Sequence, residues 1–271
     1  MTDQADNLRR LLERTTPRPP HKARRMAFLS GKGGVGKTSL AVNMALALSR
    51  MGHRTILIDC DIGLANADFL LGVQAKSTLD SVFMSGQDVR KAVVIMSSGL
   101  WLVPGAGAII PRQAVASGRL EHILERLDPE AEFIVLDGGA GIDEGVQYLA
   151  RISDEVVIIA MPESAAAINA YRLIKVIHEN RPAPAIRLVI NRADSHSAAY
   201  RTAAGILKAS SDFLDMQIEY VGWIPNDPTM EQAARDRRPL VEKFPASDSA
   251  RSIVALATRL IQPPPAAPEA A

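Results

Sequence analysis

The stretch Ser30-Gly31-Lys32-Gly33-Gly34-Val35-Gly36-Lys37-Thr38-Ser39 limits what this chain can be more than any other feature. It lies between a short apolar run, Met26–Leu29, and a Leu/Ala/Met-rich segment, Thr38–Arg50. The first reads as a buried strand and the second as a helix. Gly31, Gly36, Lys37 and Thr38 fit the spacing G-x-x-x-x-G-K-[ST]. Glycines let a main chain wrap closely round an anion with its N–H groups pointing inward, and the helix that follows adds its positive dipole end. In such a loop Lys37 reaches the β- and γ-phosphates and the Thr38 hydroxyl sits on Mg²⁺. The candidate phosphate cradle is therefore Gly31, Lys32, Gly33, Gly34, Val35, Gly36, Lys37, Thr38 and Ser39. A glycine-rich turn with an incidental lysine would explain neither the strand before it nor the helix after it.

The rest of the chain repeats the strand–helix alternation. Arg54–Asp59, Phe133–Asp137, Glu155–Ala160, Ile186–Asn191 and Ile218–Ile224 read as strands, and Leu100–Val103 with Val93–Met96 adds another. Helices are predicted over Pro111–Leu127, Asp143–Arg151, Ala165–Asn180, Ala198–Phe213 and from Ser247 onward. The last carries an apolar stripe at Ile253, Leu256, Ala257, Leu260 and Ile261. Strands apolar throughout and separated by helices predict an α/β fold with a doubly wound, mostly parallel sheet. Ligands of such folds sit at the C-terminal ends of the strands. The glycine loop, Asp59–Asp61, Asp137 and Asn191 all fall there, which points to one site.

Residues 26–261 are predicted to form that single domain. Ahead of them, Ala5, Leu8, Leu11 and Leu12 fall at helical spacing, and Thr15–Pro20 reads as a Pro-rich linker. A short tethered helix buries little on its own, so this segment is either a docking element or a disordered tail. Residues 262–271 are Pro/Ala-rich and read as a disordered tail. The net charge of +1 argues for neither nucleic acid nor membrane as a bulk partner. The single cysteine, Cys60, forms no intrachain disulfide and supplies too few thiolates for an iron–sulfur cluster. No apolar leader and no membrane-length apolar run is visible, so a cytoplasmic location is expected.

Two acidic positions belong near the phosphates. Asp59-Cys60-Asp61 follows a strand, and one of its carboxylates could orient an attacking water; capping of the loop is the bland alternative. Asp137, at the end of Phe133–Asp137 and before Gly138-Gly139-Ala140-Gly141, occupies a Walker B-like position, where an acid holds Mg²⁺.

These motifs resemble those of the MinD/ParA family of ATPases. GKGGVGKT carries that family's additional lysine, here Lys32, which in the family reaches the partner's phosphates across a dimer. DCDIGLAN resembles the family's D-x-D-x-G-L-x-N, and DGGAG its D-x-[PGA]-A-G. The resemblance implies ATP and Mg²⁺ as cofactors and an ATP-dependent homodimer. It implies Lys32, Lys37, Asp61 and Asp137 as catalytic residues, with Asp61 positioning water, and Thr38, Asp61 and Asp137 about the metal. Asn191, Arg192, Pro225 and Asp227 are implied on the base side. No guanine motif N-K-x-D is present. Asp59, Asn66 and Asn169 are implied at the dimer face, Asn169 standing where the family has aspartate.

Residues 63–72 and 222–251 look like the flagellar-number regulators of the FlhG and FleN group. So does the start of the chain, where Asp3, Gln4, Ala5, Leu8 and Arg9 match D-Q-A-x-x-L-R, the element that in this group activates an FlhF-like GTPase. The expected function is a slow switch-type ATPase controlling flagellar number or placement. It would act on an FlhF-like GTPase, on a flagellar transcription activator, or on both, and reach the cell pole or membrane through such partners. The C-terminal amphipathic membrane helix of many relatives is not matched. The alternative is a ParA-type partitioning ATPase, which needs a basic face; Arg235, Arg237 and Arg238 offer a small one.

Overall fold

The computed structural model describes residues 22–61, 65–105, 118–180 and 183–264. Eight strands form one sheet: β1 (Arg24–Ser30), β2 (Thr55–Asp59), β3 (Val94–Ile95), β4 (Trp101–Val103), β5 (Phe133–Ala140), β6 (Glu155–Ala160), β7 (Ala185–Ala193) and β8 (Glu219–Pro225). Their order is β3-β4-β2-β5-β1-β6-β7-β8. Every pairing is parallel except that of β3 with β4, which is antiparallel at one edge. The doubly wound, mostly parallel fold read from the sequence is the fold found.

The alternation of side chains along each strand feeds two cores, one on each face of the sheet. Met26, Phe28, Leu57, Val135 and Val157 point to the side of α1 (Lys37–Arg50). α2 (Ala67–Leu70) borders that layer. Ala27, Leu29, Ile58, Leu136 and Ile158 point to the other side. There they meet α3 (Leu79–Ser85), α4 (Arg119–Leu127), α5 (Glu144–Arg151), α6 (Ser164–Glu179) and α7 (His196–Leu214). α8 (Pro228–Arg235), α9 (Leu240–Lys243) and α10 (Asp248–Ile261) complete the α1 layer. α1 is buried round most of its circumference between the sheet and these helices, which is why its sequence is apolar on nearly every side.

Caps set several helix starts. Asp143 accepts from Val146 N (3.0 Å) and Ser195 from Ala198 N (3.2 Å). Ser247 accepts from Ala250 N (3.2 Å), where the last helix is predicted to begin. α2, α3, α8 and α9 are not anticipated; α2, α3 and α9, of 4, 7 and 4 residues, are too short for a periodic pattern to register. α8 nevertheless carries a start signal, Asp227 as cap followed by Pro228 in the first turn. The predicted helix Pro111–Leu127 is described from Arg119 onward; its first part, the 1–21 segment with Asp3, Gln4, Ala5, Leu8 and Arg9, and residues 265–271 lie outside the described residues.

At the N-terminal ends of the strands a buried charge network closes the fold. Arg187 and Glu155 are 1% and 0% exposed and lie 3.3 Å apart. Arg24 meets Glu155 at 2.6 Å and Glu219 meets Arg187 at 2.8 Å. Both arginines also donate to carbonyls at the end of α10, Arg24 to Ile261 O (2.9 Å) and Arg187 to Gln262 O (2.8 Å). Cations there satisfy the unpaired carbonyls and the negative end of the helix dipole.

Candidate active site

All of the predicted phosphate-side residues converge at the C-terminal end of the sheet. β1 delivers the glycine loop, β2 delivers Asp59 and Asp61, and β5 delivers Asp137, paired in register with Asp59. Gly36 sits at φ 85°, in the left-handed region, just ahead of α1. A Cβ there would lie 2.5 Å from Asn191 Nδ2, so the position needs glycine twice over. A Cβ at Gly31 would overlap the backbone carbonyl of Asn169, so α6 packs directly on the start of the loop.

Lys37 is the hub. Its Nζ donates to Asp137 Oδ1 (2.8 Å), Asp61 Oδ2 (3.1 Å) and Thr38 Oγ1 (3.3 Å). Burial works to lower the lysine's pKa, but the carboxylates of Asp137 and then Asp61 outweigh it and hold the ammonium above its ordinary value. Burial likewise pushes Asp137 above the usual carboxylate range, with Lys37 offsetting part of the push. The second oxygen of Asp137, Oδ2, is buried without a hydrogen-bond partner among the described residues.

Asp59 is 1% exposed, and it presents no surface of its own to a dimer. Burial, and then the negative charge of Asp137, push its pKa up to about 7, against the pull of three backbone amides. Of the other two predicted dimer-face residues, Asn66 is exposed and Asn169 half-buried. Lys32 is exposed and pairs with Glu163 of its own chain at 3.1 Å. A pair this exposed is held by about 0–1 kcal/mol, so the lysine is easily released. Glu163 is a partner that sequence reasoning missed; nothing in a loop lysine's spacing points across to the start of α6.

A cleft of about 720 Å³ runs from Lys37 and Asp61 past the loop to Asn191, Arg192, Pro225 and Asp227. The base-side residues are thus brought to the same cavity as the phosphate side. Asn191 Nδ2 donates to Val35 O at 2.7 Å. Arg192, at φ 56°, holds Glu231 of α8 at 3.2 Å. Asp227 accepts from Thr229 N (2.9 Å) and caps α8; these bonds and those from Ser249 outweigh burial and keep its pKa below the usual value. Met230, Glu231 and Ala234 of α8 line the cleft and were not anticipated, although Asp227-Pro228 signals the helix that carries them.

The residues fit a magnesium nucleotide. The cleft has room for one, the loop is free of side chains at Gly33 and Gly34, and a buried carboxylate oxygen is left without a donor. Mg²⁺ bound to phosphates takes few protein ligands and keeps several waters. Thr38 by its hydroxyl, and Asp61 and Asp137 by their carboxylates, would hold it, where it would supply Lewis-acid stabilisation of phosphate charge.

A parallel α/β sheet with a glycine loop, its lysine and two strand-end carboxylates defines a P-loop nucleotide-binding protein. The profile of the ParA family, described as NUBPL iron-transfer P-loop NTPase, matches residues 22–261, and the chain belongs to this MinD/ParA family of P-loop ATPases. Antiactivator FleN of Pseudomonas aeruginosa is 32% identical over 243 residues, 89% of this chain and 87% of that protein. Flagellum site-determining protein YlxH of Helicobacter pylori is 28% identical over 96% of this chain and 91% of its own length. Septum site-determining MinD of Pyrococcus horikoshii, solved with Mg-ADP, superposes with a TM-score of 0.75 at 23% identity, covering 88% of this chain and 96% of that one. With one cysteine, the chain does not carry the thiolates that a cluster would need.

The three arginines of the small basic face each have a partner in the fold, and the ion pairs are exposed and weak. Arg238 pairs with Glu242 (3.0 Å), Arg235 with Glu231 (3.7 Å), and Arg237 stacks over Phe69 at 4.4 Å. No helix among the described residues is long and apolar enough to cross a membrane.

Proposed function

We propose that this protein is a regulatory ATPase that dimerises with ATP and controls flagellar number or placement. The observation that carries the proposal is that Lys37, Asp61 and Asp137 already form one hydrogen-bonded set in a domain that matches FleN over 89% of the chain. FleN is named an antiactivator and YlxH a flagellum site-determining protein. A flagellar transcription activator and an FlhF-like GTPase are the corresponding partners, the latter through Asp3, Gln4, Ala5, Leu8 and Arg9.

The chemistry follows from what the residues hold before nucleotide arrives. Lys37 neutralises two carboxylates; when it turns to the β- and γ-phosphates, Asp61 is released to accept a hydrogen bond from the attacking water. Asn191 gives one of its two amide N–H groups to Val35 O, and since a carbonyl can only accept, the orientation of the amide is fixed. Its Oδ1 is left as an acceptor for the base edge. ATP is the nucleotide of this reading because the chain matches the MinD/ParA ATPases and lacks the guanine motif N-K-x-D. The weak Lys32–Glu163 pair frees Lys32 to cross to a second copy.

The test is mass by light scattering of an Asp61→Ala variant with ATP and with ADP. A dimer with ATP and a monomer with ADP are expected. A monomer in both states would overturn the switch reading.

A further inference from the structure

The carboxylate of Asp59 holds both ends of the segment joining β2 to α2. Its Oδ1 accepts from Asp61 N at 3.1 Å. Its Oδ2 accepts from Asn66 N and Ala67 N, each at 2.9 Å. Asp61 is thereby pinned twice, at its backbone by Asp59 and at its carboxylate by Lys37. Oδ2 of Asp59 thus satisfies two amides at the start of α2. Gly105 closes the back of this arrangement: a Cβ there would sit 2.6 Å from Asp59 O and 3.0 Å from Ala65 Cβ. The β2 end is itself fixed to β5, with Cys60 N donating to Asp137 O at 2.8 Å.

Burying a carboxylate beside a second one is costly, and a chain that merely had to end a strand would use a neutral residue. Three amide donors converging from sequence positions 61, 66 and 67 need an acceptor with two oxygens and no donor, which aspartate supplies in its ionised form, the form that prevails above about pH 7. At 1% exposure Asp59 is sealed from the cleft and cannot touch nucleotide.

We infer that Asp59 is a positioning residue for hydrolysis: its carboxylate sets the place of Asp61 relative to Lys37 and the attacking water. This rests on the reading of Asp61 as the water-orienting group. It places Asp59 behind the site rather than on a dimer surface. Asparagine in its place has one acceptor oxygen and an amide that would face N–H groups, so it can hold Asp61 or the start of α2, not both.

The experiment is steady-state ATP hydrolysis with Mg²⁺, together with equilibrium binding of a fluorescent ATP analogue, for the full chain and for Asp59→Asn, Asp61→Ala and the double variant. The expected result for Asp59→Asn is kcat lowered roughly 10- to 100-fold with nucleotide affinity within about threefold of the parent. The double variant is expected to be no slower than Asp61→Ala, because Asp59 acts through Asp61. Should Asp59→Asn not fold, Asp59→Glu keeps the charge and both oxygens while moving them by one methylene, and is expected to show the same split. Unchanged kcat, an equal loss of kcat and affinity, or a further drop in the double variant would overturn the inference. A parent chain that binds nucleotide but does not hydrolyse it would instead sink the ATPase reading on which the inference stands.

Discussion

Lys37 and Asp137 lie 2.8 Å apart, both buried, so each is the reason the other can be charged. Asp61 also accepts from the lysine, at 3.1 Å, while the second oxygen of Asp137 has no hydrogen-bond partner among the described residues. The site is therefore held by an internal ion pair, which in the proposed function the phosphates of a nucleotide would replace.

Lys37→Ala should accordingly do two things. Binding of a fluorescent ATP analogue should be lost, and the nucleotide-free protein should itself lose stability, by about 3–5 kcal/mol less whatever Asp137 recovers by taking up a proton. Urea unfolding measures the second effect. Adding Asp137→Asn should restore much of it, since the orphaned charge is gone. A nucleotide-free Lys37→Ala as stable as the parent would mean that the pair is not formed in solution.

The elevated pKa of Asp59 gives a pH dependence of definite sign. Between about pH 4 and about 7 the folded chain keeps a proton on Asp59 that the unfolded chain has released. Stability of the nucleotide-free protein should therefore fall as pH rises through that window, by at most about 1.4 kcal/mol per unit from this group, and level off above it. Asp137 and Glu155, also raised chiefly by burial, contribute slopes of the same sign. Urea unfolding of parent and Asp59→Asn from pH 5 to 8 separates Asp59 from them: the parent should lose stability relative to the variant as pH rises. Parallel curves would show that Asp59 does not titrate there.

The sheet and the phosphate side were readable because their signals are local. An all-apolar run, a glycine loop and an acid at a strand end each occupy a few consecutive residues, so β1, α1, Asp61 and Asp137 fall where the pattern places them. Contacts made across the fold left no such trace. Glu163 beside Lys32 and the carbonyl of Asn169 against Gly31 depend on how separate segments meet. The same holds for Asn191: its position at a strand end is visible in sequence, but that one of its amide N–H groups is committed to Val35 is visible only in three dimensions.

Glycines that look alike in the motif differ in this respect, which makes a direct comparison possible. Nothing lies within 4 Å of a Cβ at Gly33, whereas at Gly31 it would run into the backbone of α6. Backbone cannot rotate away as a side chain can. Gly31→Ala is expected to destabilise the nucleotide-free protein by about 1–3 kcal/mol, the usual range for overpacking, and Gly33→Ala to stay within about 0.5 kcal/mol. Thermal or urea unfolding decides it. Equal tolerance at both positions would show that α6 does not press on the loop.

The charge network at the far end of the sheet makes the last prediction. Arg187 is fully enclosed, and it answers at once to Glu155, Glu219 and the carbonyls of Leu260 and Gln262. Arg187→Ala would leave Glu155, which is 0% exposed, with Arg24 as its remaining cation and would uncover the end of α10. The expected loss is about 3–5 kcal/mol, with faster amide exchange in the last turn of α10. Arg187→Met combined with Glu155→Gln removes the charges while keeping most of the volume, and should lose far less, because the cost lies in the unpaired carboxylate rather than in the missing pair. If the double variant proves as unstable as Arg187→Ala, the bonds to the α10 carbonyls, not the charge on Glu155, are what the arginine is needed for.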